Sequence, residues 1–192
     1  KPRDLLCLHC LRRRVEWMHT LTAYQSRERS MVSEACQDYP TGLLNRRGLQ
    51  AALDSMQKTD FPMAVFLFDI DGLKRANDQL GHGAGDRILK HFADVLRRNT
   101  RRGDILCRYG GDEFAVILKG IRSADAVRRK GADICNGITQ LQFPEGYNAT
   151  CSGGVVLCVE ADVFPSILIE RADEALYQAK HRQRGGCLLW GN

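Results

Sequence analysis

Six consecutive residues, Met63-Ala64-Val65-Phe66-Leu67-Phe68, carry no polar side chain. Successive strand residues point to opposite faces, so an unbroken apolar run of this length reads as a strand covered on both sides. A fold built on it must place helices against both faces of its sheet. The remaining pattern provides them. Pro40-Thr41-Gly42 breaks the chain, and Asn45 caps a helix expected through about Gln57. Helices are expected at 73–80, 84–99, 123–141 and 164–182. Strands are expected near 104–108, onward from Gly110-Gly111 to Leu118, at 149–159 and at 187–190. Strands and helices interleave, yet two consecutive strands meet at Gly110-Gly111. That mixture gives an α+β class, an α/β sandwich with a central mixed sheet flanked by helices. No internal repeat is present.

Residues 1–37 read differently from residues 38–192. Leu8, Leu11, Val15 and Met18 follow the 3-4-3 spacing of a coiled-coil seam, which then fades through Thr22, Gln25 and Arg29. One long N-terminal helix is expected there. It is either a dimerising connector or a helix packed on its own domain. Cys7-Leu8-His9-Cys10 has CxxC spacing, but no second pair completes four ligands, so these are read as helix residues. Eight cysteines are scattered, several inside apolar runs where a thiol behaves as a small hydrophobe, which fits a reducing, cytoplasmic setting. The formal net charge of +5 is a mild bias that suits a phosphate-bearing ligand. The basic clusters lack interleaved aromatics, so nucleic acid is not an expected partner. No run of about 18 apolar residues exists and no signal peptide is visible, so direct membrane insertion is not expected. The chain opens on Lys1 rather than Met and is read as a piece of a longer protein, with a sensory domain expected upstream and membrane anchoring of the parent left open.

The chemistry gathers at two acidic stretches. Asp69-Ile70-Asp71-Gly72 ends the apolar strand, and Gly110-Gly111-Asp112-Glu113 precedes the run Phe114-Ala115-Val116-Ile117-Leu118. The glycine pair signals a hairpin turn, because glycine accepts positive φ without steric cost. It also lets a planar or phosphorylated group approach the backbone. Ligands of such sheets sit outside strand ends. If the hairpin lies beside the strand, Asp69, Asp112 and Glu113 converge with the Ile70 carbonyl. Oxygen-only donors of high charge suit Mg²⁺ or Mn²⁺. Two such ions roughly 3.5–4 Å apart clamp the oxygens of phosphoryl transfer. The structural alternative is that Asp69 and Asp71 merely cap the following helix.

In five ordered blocks the chain resembles the GGDEF family of diguanylate cyclases. "RYGGDEF" resembles its signature, residues 69–78 (DIDGLKRAND) its D-x-D-x-F-K-x-x-N-D block, and Gly81-His82 with Gly85-Asp86 its G-H-x-x-G-D. "DYPTGLLNRR" resembles D-x-L-T-G-L-x-N-R-R, and residues 172–180 match A-D-x-A-L-Y-x-A-K. The resemblance covers about 38–192. It implies a palm-like nucleotide-cyclase fold that converts two GTP molecules into cyclic di-GMP and two pyrophosphates. Asp69, the Ile70 carbonyl, Asp112 and Glu113 would hold two divalent ions. One of the acids, or a metal-bound water, would help remove the proton of the attacking 3′-hydroxyl, with Asp112 and Glu113 as the catalytic pair. Asn77 and Asp86 would read the guanine edge, a pattern adenine cannot supply. Backbone N–H groups of Gly72, Leu73 and Lys74 would cradle phosphates. Gly110 and Gly111 would leave room for guanosine, and Lys180 and Arg184 would grip the triphosphate. One domain holds one GTP, so a homodimer is implied.

Arg101 and Asp104 stand where the family places its R-x-x-D inhibitory site for cyclic di-GMP, with Arg128 or Arg129 as a further arginine. Three departures are visible. Leu73 replaces the usual Phe, Pro40 the usual Leu, and Gly153 stands where a larger apolar residue is common. No expected metal or guanine ligand is lost. The rival readings are a catalytically weak domain that binds GTP or cyclic di-GMP for signalling, a hybrid cyclase joining GMP to AMP, and a template-directed polymerase or nuclease.

Overall fold

In the computed structural model, residues 17–18, 34–140, 147–161, 163–182 and 184–191 are described. The expected N-terminal helix and the CLHC stretch lie almost wholly outside them. The chain divides into two units, Lys1–Cys36 and Gln37–Asn192.

The larger unit holds every named element. Helix α1 (Arg46–Asp54) is followed by strand β1 (Met63–Asp71), α2 (Leu73–Leu80), α3 (His82–Asn99), β2 (Ile105–Arg108) and β3 (Glu113–Lys119). Then come α4 (Ala124–Thr139), β4 (Thr150–Cys158), α5 (Pro165–Arg182) and β5 (Cys187–Leu189). The five strands form one sheet in the order β2-β3-β1-β4-β5, antiparallel except for the parallel β4–β5 pair. The apolar run is thus the central strand, which explains its composition.

Two cores lie against the two faces. Ala64, Phe66, Phe68 and Ile70 pack with Ile88 and Phe92 of α3, Ile134 of α4 and Phe114 of β3. Phe92 meets Phe114 edge-on at 4.8 Å. Met63, Val65 and Leu67 face the other way, with Leu49 of α1 and Leu168, Ala172 and Leu176 of α5. Burying one such side chain contributes about 1.5–3 kcal/mol. Gly154 allows the close seating of α5 on β4, since a Cβ there would stand 2.1 Å from the Ala172 carbonyl oxygen. The unusual Gly153 is explained as well: the Phe68 ring would lie 2.7 Å from its Cβ.

Local signals act as the sequence predicts. Asn45 accepts the Gly48 N–H at 3.0 Å and caps α1, which stops at Asp54 rather than near Gln57. There the Ser55 hydroxyl donates to the Ala52 carbonyl at 2.8 Å and ends the helix, a common habit of short hydroxyl side chains. Gly81, at φ 81°, separates α2 from α3. Cys107, Cys135 and Cys151 are free and buried. Burial pushes the Cys107 thiol up to about 12, as expected of a thiol used for packing.

Candidate functional site

The site lies at the C-terminal end of β1. Strand register sets Asp69 directly opposite Glu113 on one side and Ser152 on the other. Facing pairs of this kind bring Cβ atoms to about 4.5–5.5 Å. The turn between β2 and β3 closes through Tyr109 and Gly110, whose N–H groups donate to the Glu113 carbonyl at 2.8 and 3.2 Å. It then reaches over β1, where the Ile70 N–H donates to the Asp112 carbonyl at 3.0 Å. Asp69, Ile70, Asp112 and Glu113 are therefore assembled at one strand end by backbone pairing.

The glycine pair works differently from the sequence expectation. Neither Gly110 nor Gly111 has positive φ, because the connection is a four-residue turn rather than a tight two-residue one. A Cβ at Gly110 would stand 2.5 Å from Glu113 Oε2. The space left by that glycine holds the Glu113 carboxylate, not room for a ligand. Gly111 has nothing within 4 Å of its Cβ position and lines a cavity.

Charge is unbalanced here. Burial raises the Asp69 carboxyl's proton affinity, the Lys180 hydrogen bond offsets part of this, and Asp112 and Asp71 raise it further. Lys180 Nζ of α5 stands 2.6 Å from Asp69 Oδ2. Burial likewise raises Glu113, reinforced by Asp69, Asp112 and, more weakly, Asp173, with Lys180 opposing. Asp69 and Glu113 thus share one ammonium, with Asp112 adding a third negative charge beside them. Among the described residues no three His, Cys, Asp or Glu side chains already stand as a ready metal shell. The donor set is nevertheless all oxygen with excess negative charge, the chemistry that suits a hard divalent cation. Lys180 supplies part of the missing positive charge.

Beside the acids is a cavity of about 460 Å³, lined by Leu73, Lys74, Asn77, Asp86, Gly111 and Asp112 among others. Asn77 Oδ1 is buried within the protein without a hydrogen-bond partner. Buried polar atoms are rarely left so, and an acceptor in a cavity wall suits a ligand donor. The side chain rests on Gly85 of α3, where any Cβ would stand 1.9 Å from that oxygen. Gly72, left-handed at φ 74°, precedes α2, and no side chain caps that helix. Its first-turn N–H groups remain open to a ligand. Arg184 is placed apart from Asn77 and Asp86, in a second hollow of about 360 Å³ with Arg182 and Gly185.

Sequence reasoning missed the brace behind the turn. Arg108 donates to the Gly111 carbonyl at 2.7 Å through one terminal nitrogen and at 3.2 Å through Nε. Its other terminal nitrogen bonds the two Asp38 carboxylate oxygens at 3.1 and 3.4 Å. Asp38 also accepts the Thr41 hydroxyl at 2.6 Å. The opening residues of two recognised blocks thus clamp each other, a pairing that no spacing rule predicts across 70 residues. The Arg46 guanidinium covers the Tyr109 ring, 4.9 Å from its centroid. Asp71 was also unassigned; it turns toward Thr150 and Ser152 of β4.

Arg101 and Asp104 form the turn from α3 to β2. The Asp104 side chain is 5% exposed and accepts the Arg101 N–H at 2.9 Å and the Lys119 N–H at 3.3 Å. Arg101, 69% exposed in its side chain, donates to the Lys119 carbonyl and stands 3.7 Å from Asp104. Both line a hollow of about 460 Å³ with Arg98 and Lys130. Among the described residues no helix is long and apolar enough to cross a membrane.

The sequence matches the family model described as "Diguanylate cyclase, GGDEF domain" over residues 35–186. It is 40% identical over 154 residues to the response regulator PleD of Caulobacter vibrioides, spanning 76% of this chain and 34% of PleD. It is 34% identical over 169 residues to the diguanylate cyclase DgcP of Pseudomonas aeruginosa, spanning 84% of this chain and 25% of that protein. The chain thus spans only about a third or less of these two relatives. Among solved structures, the coiled coil and GGDEF domain of DgcB from Caulobacter crescentus superposes with a TM-score of 0.81 at 24% identity, covering 92% of this chain and 97% of that one. The GGDEF domain of DgcB alone, in complex with c-di-GMP, gives a TM-score of 0.74 at 27% identity, covering 82% and 94%. Fold, ordered blocks and the acidic strand end agree with these likenesses: the chain belongs to the GGDEF-domain diguanylate cyclase family.

Proposed function

We propose that this chain condenses two GTP molecules into cyclic di-GMP, with product inhibition at the Arg101–Asp104 turn. The observation that carries the reading is an acidic strand end that shares Asp112 with a cavity wall holding an unsatisfied acceptor: Asp69 faces Glu113, and Asn77, whose Oδ1 lacks a donor, lines the same cavity as Asp112. Members of the family generally work with a divalent metal. Asp69, Asp112, Glu113 and the Ile70 carbonyl would hold Mg²⁺ or Mn²⁺, two per site. When bound, such ions neutralise charge on the transferring phosphate and ease ionisation of a hydroxyl.

The chain's own residues bind and orient. Asn77 Oδ1 and the Asp86 carboxylate accept from the guanine N1–H and amino group, which adenine cannot match. N–H groups at the start of α2 receive phosphate oxygens, aided by the positive end of the helix dipole. Lys180, already at the acids, and Arg184, two residues beyond α5, neutralise the triphosphate. Glu113, paired across the strands with Asp69, would accept the 3′-hydroxyl proton. The 3′-oxygen forms a bond to the α-phosphorus of the facing GTP, the bond to the β-phosphate oxygen breaks, and pyrophosphate leaves. A second such transfer closes the ring. Because each domain offers one guanine cavity, the two substrates belong to two chains, and a homodimer is required. The cationic hollow at Arg98, Arg101 and Lys130 would bind the product's phosphates. DgcB in complex with c-di-GMP supports the ligand class.

Incubation with GTP and Mg²⁺, followed by mass spectrometry, tests this. Cyclic di-GMP and pyrophosphate are expected, and Glu113→Gln should lower the rate by about 10²-fold or more. GTP binding without any cyclic product would leave the binding-module reading in its place.

A further inference from the structure

We infer that Ser152, with Thr150 and Asp71, is a positioning group that sets affinity for the triphosphate rather than for guanine. This rests on the GTP reading above. Asp71 closes β1 two residues beyond Asp69, but its carboxylate turns to the neighbouring strand. It accepts the Thr150 hydroxyl at 2.8 Å and faces the Ser152 hydroxyl at 3.0 and 3.2 Å. Ser152 is completely buried, in a strand whose following same-face positions are Gly154, Val156 and Cys158. A hydroxyl so placed is costly unless both its donor and acceptor roles are used. Both are: it donates to Asp71, and its oxygen accepts the Gly185 N–H at 3.2 Å. The next N–H, of Gly153, donates to the Gly186 carbonyl at 2.8 Å.

Two separate phosphate-binding segments are thereby tied to one strand. On one side is Asp71-Gly72, the entry to α2, where the Tyr147 hydroxyl also donates to the Gly72 carbonyl at 3.0 Å. On the other is the backbone immediately after Arg184. The bonds run through β4 and touch neither Asn77 nor Asp86. Removing the Ser152 hydroxyl frees the Gly185 N–H and one side of Asp71, so both segments lose their fixed spacing while the guanine wall stays intact.

Binding of 3′-deoxy-GTP, which cannot react, and of guanosine, which has no phosphate, is measured by calorimetry with Mg²⁺. Ser152→Ala and Thr150→Val should each weaken 3′-deoxy-GTP by about tenfold, the equivalent of one lost hydrogen bond to a charged group, and leave guanosine unchanged. In turnover, KM for GTP should rise with little change in kcat. Equal weakening of both ligands, or of neither, would overturn the inference. Should Ser152→Ala fail to fold, Thr150→Val decides, since Thr150 is only half-buried and the change keeps its shape. A wild-type chain that binds neither ligand would instead overturn the GTP reading itself.

Discussion

At Gly85 and Gly110 the absence of a side chain places a neighbouring one. Asn77 rests on the first and Glu113 on the second, both too close for any Cβ. Both glycines belong to blocks legible in the sequence, yet the sequence reading gave the space at Gly110 to guanosine. Which atom fills a gap depends on packing. Gly85→Ala separates function from stability. Alanine is favoured over glycine inside a helix by about 1 kcal/mol, which offsets the displacement of a flexible side-chain end. The urea midpoint should therefore stay near wild type while KM for GTP rises about tenfold, the loss of one paired hydrogen-bond contact. Steady-state kinetics beside urea unfolding checks this; an unchanged KM would remove Asn77 from guanine recognition.

Turns and strand ends carry the chemistry of this fold at the scale of elements. The β2–β3 turn is held by backbone bonds to Glu113 and Asp112 and braced by Arg108 and Asp38. The α3–β2 turn is held by Asp104, which satisfies two backbone N–H groups, one in the turn itself and one at the end of β3. The two members of the R-x-x-D pattern should therefore respond differently. Arg101→Ala should keep stability within about 0.5 kcal/mol, as for surface changes, and raise the steady-state yield by relieving product inhibition. Asp104→Ala should cost about 1–3 kcal/mol, the penalty for orphaned polar groups. Inhibition by added cyclic di-GMP, measured beside urea unfolding, separates the two. Inhibition unchanged in Arg101→Ala would refute a regulatory role.

Across the whole molecule, the sheet, both cores and the site residues fall within Gln37–Asn192. A ring built from two nucleotides on two such domains makes rate per chain depend on concentration. The 3-4-3 seam in residues 1–36 is proposed as the pairing element. Sedimentation analysis with and without those residues should give a dimer dissociation constant at least about tenfold weaker in the truncated chain, a difference of about 1.4 kcal/mol. Equal dimerisation in both would assign pairing to residues 37–192.

Local chemistry by itself determined the elements and the acid-bearing strand ends. An apolar run cannot stay in water, Asn45 caps because its side chain reaches its own helix's N–H, and paired carboxylates at strand tips mark where charge must gather. These effects act within a few residues, so they can be read along the chain. Tertiary structure alone decided which distant groups met. The strand order set Asp69 against Glu113, joined Asp38 to Arg108, and turned Asp71 away to Ser152. Such pairings depend on register and strand order, which spread over the whole sheet and leave no periodic trace in the sequence.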